Sequence, residues 1–160
     1  MRFSHSRKSV WIGTGAALLC LTLAADDDVK LLPDGPGREA TTRVCLDCHG
    51  TGNFRKLRLG RDEWADQVAE MVDRGAKGSE KDLAEVVDYL VQNFGPDSKI
   101  NVNTAPLIEL KAILAVTAKE ATALLDYREA NGKFKDLGDL EKVPGVDPKK
   151  IEDKKAIIAF

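Results

Sequence analysis

Cys45, Cys48 and His49 stand together in the stretch RVCLDCHGTG, residues 43–52. Two thiols three residues apart with an adjoining imidazole suit three chemistries: a dithiol redox pair, half of a zinc site, or an anchor for haem. The supply of further ligands separates them. The other histidine and cysteine, His5 and Cys20, both fall within the first 25 residues. There Arg2, Arg7 and Lys8 precede an uncharged apolar run from Val10 to Ala25, short for a membrane span and laid out like an export signal. Residues 1–25 are therefore expected to be a signal peptide cut after Ala24 or Ala25. The alternative is an uncleaved membrane anchor over residues 10–25. Cys20 follows Leu19 rather than a small residue, and reads as a filler of the signal.

Without the signal, Cys45, Cys48 and His49 are the whole Cys and His inventory. A structural zinc site wants four such ligands and fails on count. A thioredoxin-like pair needs a βαβ setting, which the flanks do not offer. Cys-x-x-Cys-His remains, the attachment signature of c-type haem, and it implies one covalent haem c. On a single helical turn the two thiols can each reach one vinyl group of the same porphyrin, with His49 brought under the iron. Export agrees, because haem of this kind is attached outside the cytoplasm.

With one histidine left, a second iron ligand must be of another type. Met71 is the only methionine besides the initiator. It shares a helical face with Trp64, Val68 and Val72, so it reads either as core or as the thioether ligand common in electron carriers. The alternatives are a five-coordinate or lysine-ligated iron. Arg55, Arg58 and Arg61 could meet haem propionates or form a solvated basic loop. Trp64 could stack on the haem edge or belong to the core.

The elements that must position these groups read as helices. Residues 26–37, rich in Asp, Pro and Gly, are an exposed lead-in. A helix after Ser79 carries Leu83, Val86, Val87, Leu90 and Phe94 on one stripe, with Ser79 and Asp82 as a capping box. Gly95-Pro96 ends it and opens a linker over residues 96–99. No long stretch alternates apolar and polar residues, so little or no sheet is expected and the fold class is all-α. Residues 26–97 hold 10 basic and 16 acidic residues, whereas residues 98–160 hold 11 and 10, a change that marks two modules.

Residues 38–95, with CLDCHG, then Arg61, Trp64, Val68 and Met71, then VVDYLVQNFG, resemble a small exported monohaem c-type cytochrome. They are similar to the haem-binding domains of quinohaemoprotein amine dehydrogenases. The resemblance implies a three-helix domain, a covalent haem on Cys45 and Cys48, and iron ligation by His49 and Met71. Only 22 positions separate those two ligands, which is short for a full class I cytochrome.

Residues 100–160 contain a repeat at an offset of 30, in which Leu110, Ile113, Ala115 and Val116 align with Leu140, Val143, Gly145 and Val146. Each copy reads as helix, tight hairpin, helix. Asn131-Gly132 stops the helix between them, and Asn103 or Thr104 caps the first, with Pro106 in its opening turn. INVNTAPLIEL together with YREANGKF is similar to the DNA-binding domain of periplasmic competence receptors, a tandem helix-hairpin-helix. The resemblance implies a phosphate held by hairpin N–H groups. Ala115 and Thr117 stand where that family has glycines, and Asp147 replaces the last glycine of the second hairpin. A phosphate site would then lie at Gly145, with Lys149 and Lys150 beside it, on a module whose balance is only one positive charge. A docking scaffold is the alternative.

The sequence thus points to an exported, periplasmic electron carrier rather than an enzyme, with no evident substrate pocket or catalytic dyad and with an unidentified redox partner; a subunit that feeds or drains a dehydrogenase is one form it could take. The alternative is an exported DNA-binding protein with an accessory haem domain, binding weakly and without sequence preference.

Overall fold

The computed structural model describes residues 28–160. The expected signal and anchor, residues 1–25, lie outside them. Helix α1 (Arg38–Cys45) is followed by the single turn α2 (Gly52–Arg55), then α3 (Arg61–Asp73) and α4 (Glu80–Phe94). The Ser79 cap forms as expected. Its hydroxyl accepts from Asp82 N at 3.1 Å while the Asp82 carboxylate accepts from Ser79 N at 3.1 Å. Helix α4 ends at Phe94, where Gly95 turns extended. Helices α1 and α3 pack on α4, burying Ala40, Val44, Trp64, Val68, Val86, Leu90 and Phe94. Val72 instead is exposed, in the last turn of α3.

The second half repeats one motif. Helix α5 (Leu107–Ile113), a hairpin and α6 (Ala118–Asn131) are matched by α7 (Leu137–Glu141), a hairpin and α8 (Pro148–Lys154). Leu110, Leu114, Val116, Leu124, Leu140, Val143 and Ile151 close a separate core. Two expectations need correction. The fold is mostly helical but not wholly so, because β1 (Ile100–Asn101) pairs in parallel with β2 (Ile158–Ala159). Strands of two residues are too short to leave an alternation in the sequence. Nor do Asn103 or Thr104 cap α5, which begins after Pro106 without a side-chain cap. The Asn103 amide instead mimics a peptide: it donates to Phe134 O and accepts from Phe134 N, at 2.9 and 2.8 Å.

A buried ion cluster joins the two halves. Arg55 on α2 and Arg58 just after it meet Glu109 on α5, at 2.6 and 2.9 Å. Arg55 and Glu109 side chains are each 4% exposed. Both guanidinium groups also lie over the Phe94 ring, 5.7 and 5.9 Å from its centre. These arginines are neither a solvated loop nor turned to the cleft described next, since Glu109 engages both. Arg61 pairs with Asp88 at 2.7 Å on the surface.

Candidate functional site

The first module does not fill its interior. A cleft of about 400 Å³ is lined by Cys45, Cys48, His49, Met71 and a mostly apolar wall that includes Val44, Phe54, Leu57, Trp64, Val68 and Leu90. The structure therefore brings all four sequence-predicted groups to one cavity. Trp64 holds its place there through Nε1, which donates to Phe94 O at 3.2 Å. Of the stripe on the helix after Ser79, Leu90 reaches the wall.

The thiols differ from the expectation in one respect. Cys45 is the last residue of α1, and Cys48 sits in the turn beyond it, so they do not share a continuous helical turn. The chain leaves the helix there to carry His49 into the cleft. Burial pushes the Cys45 thiol up to about 11, and its place at the negative end of a helix also disfavours a thiolate. Redox-active dithiols need the opposite, a lowered pKa at a helix N-terminus. Cys48 is exposed. Among the described residues no group of three or more His, Cys, Asp or Glu is placed to hold a metal ion. A metal in this cleft would need most of its ligands from a bound group.

In the second module the two hairpins are equivalent in backbone as well as sequence. Ala115 has φ 56° and Gly145 φ 83°, and both are exposed. Glycine takes this left-handed conformation without strain; alanine does not. Thr117 and Asp147 then cap α6 and α8, with side chains accepting from Glu120 N and Lys149 N respectively.

Glu120, which drew no attention in the sequence, ties the hairpins together. Its carboxylate accepts from Thr117 N at 2.7 Å, from Asp147 N at 3.1 Å and from the Lys150 ammonium at 2.7 Å. Lys150, followed by these backbone donors, holds the carboxyl down to about 2. Lys150 is thus engaged with Glu120, whereas Gly145 and Lys149 are exposed at the hairpin end. Lys119, also exposed, is the repeat partner of Lys149, which the offset of 30 would have revealed.

Residues 95–158 match the helix-hairpin-helix motif family. The chain is 34% identical over 110 residues to ComE operon protein 1 of Bacillus subtilis (strain 168), covering 62% of this chain and 54% of that protein. An uncharacterized protein of Haemophilus influenzae is 35% identical over 63 residues, covering 39% of this chain and 56% of that one. The human endonuclease/exonuclease/phosphatase family domain-containing protein 1 is 40% identical over 57 residues, which are 36% of this chain and 10% of that protein. The chain therefore spans about half the length of the first two and a small part of the third. No solved structure matches. The chain carries a helix-hairpin-helix domain over residues 95–158.

Proposed function

We propose that the chain is an exported DNA-contacting protein of the competence-receptor type that carries haem in its first module. One observation supports the DNA reading above the rest. Two equivalent hairpin tips, Ala115 and Gly145, are exposed in a helix-hairpin-helix domain and joined through Glu120. Turns of this kind offer backbone N–H groups to a phosphate, and Lys119 and Lys149 lie in the first turns of the helices that follow. With 11 basic against 10 acidic residues in 98–160, the grip is weak, indifferent to sequence and steep in salt. Fluorescence anisotropy with duplex DNA at low and physiological salt tests it. Lys119→Glu with Lys149→Glu should abolish binding, and each contacting lysine, neutralised singly, should flatten the log–log salt slope by about one. No binding at low salt would leave a docking scaffold.

The cleft favours a second reading, a one-electron carrier that is not itself an enzyme. Its donor set fits haem: Cys45 and Cys48 would hold the group through thioethers, His49 would ligate the iron, and Met71 would complete the shell from α3. The wall is mostly apolar, and a thioether ligand favours the ferrous state. When bound, haem supplies a ferric–ferrous couple for exchange with a redox partner outside the cytoplasm. Intact mass and a reduced-minus-oxidised visible spectrum of the exported protein test this, and folded protein without haem mass would overturn it. Met71→Ala should keep the haem, lower the potential and open the iron to small ligands. An unchanged potential would remove Met71 and leave the five-coordinate or lysine-ligated alternatives.

A further inference from the structure

We infer that Asp28 is a positioning residue for His49, acting through the single peptide unit between Gly50 and Thr51. That peptide is held at both ends. Its carbonyl, Gly50 O, lies 3.1 Å from His49 Nδ1, and its amide, Thr51 N, donates to Asp28 Oδ1 at 3.0 Å. The Thr51 hydroxyl donates to the same carboxylate oxygen at 2.7 Å, and Thr51 is 1% exposed. A side chain at Gly50 would meet the Asp28 carboxylate and force it to shift.

The direction of each bond is fixed by chemistry. A carbonyl only accepts, so His49 Nδ1 carries the proton and Nε2 is left as the nitrogen with the free lone pair. A carboxylate drawing on the amide proton polarises the peptide and makes its carbonyl a stronger acceptor. That in turn strengthens the bond from Nδ1 and makes Nε2 the stronger electron donor to a bound metal. Asp28 thus holds the carbonyl that fixes the tautomer of His49 and strengthens its Nε2 as a donor, without touching it. It stands close after the expected cleavage point at Ala24 or Ala25, so removal of the signal leaves it in place.

The redox consequence rests on the haem reading; the tautomer does not. A stronger electron donor favours the ferric state, so weakening the relay moves the potential positive. The test compares the full exported chain with Asp28→Asn, which keeps an acceptor oxygen but no charge, and with Asp28→Ala, which removes both. Haem mass should be equal in all three. The ferric–ferrous partition should shift towards ferrous by about tenfold, or ~59 mV, in Asp28→Asn and further in Asp28→Ala. Equal potentials in the three proteins would overturn the inference. Should the exported chain hold no haem, nitrogen-15 spectra of the His49 ring decide the matter. The Nδ1–H tautomer dominant in the natural chain and mixed tautomers in Asp28→Ala uphold the relay, and identical populations overturn it.

Discussion

The two modules use similar helices to opposite ends. In the second, two copies of one motif bury Leu110, Leu114, Leu140 and Ile151 against each other, and each of these is at most 1% exposed. In the first, α1, α3 and α4 bury Trp64, Val86 and Leu90 but leave an apolar cleft beside them. Protein interiors are packed nearly as densely as organic crystals, and missing contacts are costly. In a cleft walled by apolar side chains and ringed by two thiols, an imidazole and a thioether, a bound group would supply those missing contacts. In the second module the features open to a ligand are instead the exposed hairpin tips. A hollow core shows where to look for a cofactor, and a full one sends the search outward.

The largest expected effect tests whether the contrast divides two independent units. Among the described residues, Glu109 is the one carboxylate paired with buried Arg55 and half-buried Arg58. Glu109→Ala leaves Arg55 buried without its counter-charge, which is expected to cost about 3–5 kcal/mol. Urea unfolding, followed by Trp64 fluorescence for the first module and circular dichroism for both, should give coincident transitions in the natural chain. In Glu109→Ala the two signals should separate as the modules part. A loss below about 1 kcal/mol, the worth of a surface pair, would mean that the modules hold together without the cluster.

Much of the second module was legible in the sequence because its information is local or periodic. The offset of 30 placed Ala115 opposite Gly145, and Asn131-Gly132 ended α6. In the first module the Cys and His spacing, the α4 stripe and the Ser79 cap were legible for the same reason. The misses are pairings between distant residues. Arg55 and Arg58 found Glu109 more than fifty positions away, Asn103 found Phe134, and Asp28 found Thr51. No spacing rule connects such residues, because only the packed fold brings them together. A charged side chain, moreover, reads as solvated until a partner is known. Glu120 was hidden in the same way as regards Asp147 and Lys150, which are on the other copy of the repeat; its third partner, Thr117, completes a T-x-x-E capping box that local spacing could have shown.

A smaller effect sharpens the surface side of the comparison. The Glu120 carboxyl is lowered from 4.5 to about 2. It thus contributes stability that is fully present above pH 4.5 and lost as the pH falls towards 2. Glu120→Gln keeps the shape but removes the charge that Lys150 and the two backbone donors meet, at an expected cost of about 1–2 kcal/mol near neutrality. Urea unfolding across a pH series should show the two proteins far apart at pH 6 and converging as the pH falls through that window. A gap that stays constant down to the lowest pH would show that the charge on Glu120 is not what binds the hairpins.

The smallest effect asks how far the two hairpins are truly equivalent. Ala115 holds φ 56° where its repeat partner is Gly145 at φ 83°. A left-handed conformation costs an L-residue roughly 1–2 kcal/mol. Glycine avoids that strain but gives up about 0.5–1 kcal/mol of chain entropy on folding. The difference leaves Ala115→Gly more stable by about 0.5 kcal/mol. Ala115 is exposed, so little packing is lost with its methyl. Gly145→Ala should move stability the other way, since no atom lies within 4 Å of the added methyl and only the backbone strain remains. Urea midpoints at unchanged slope would read both. Opposite signs of similar size mean that the repeat preserves one turn geometry even where its glycine has been replaced. A loss on Ala115→Gly would instead mean that the first tip is held by its methyl, and that the two hairpins have diverged in what supports them.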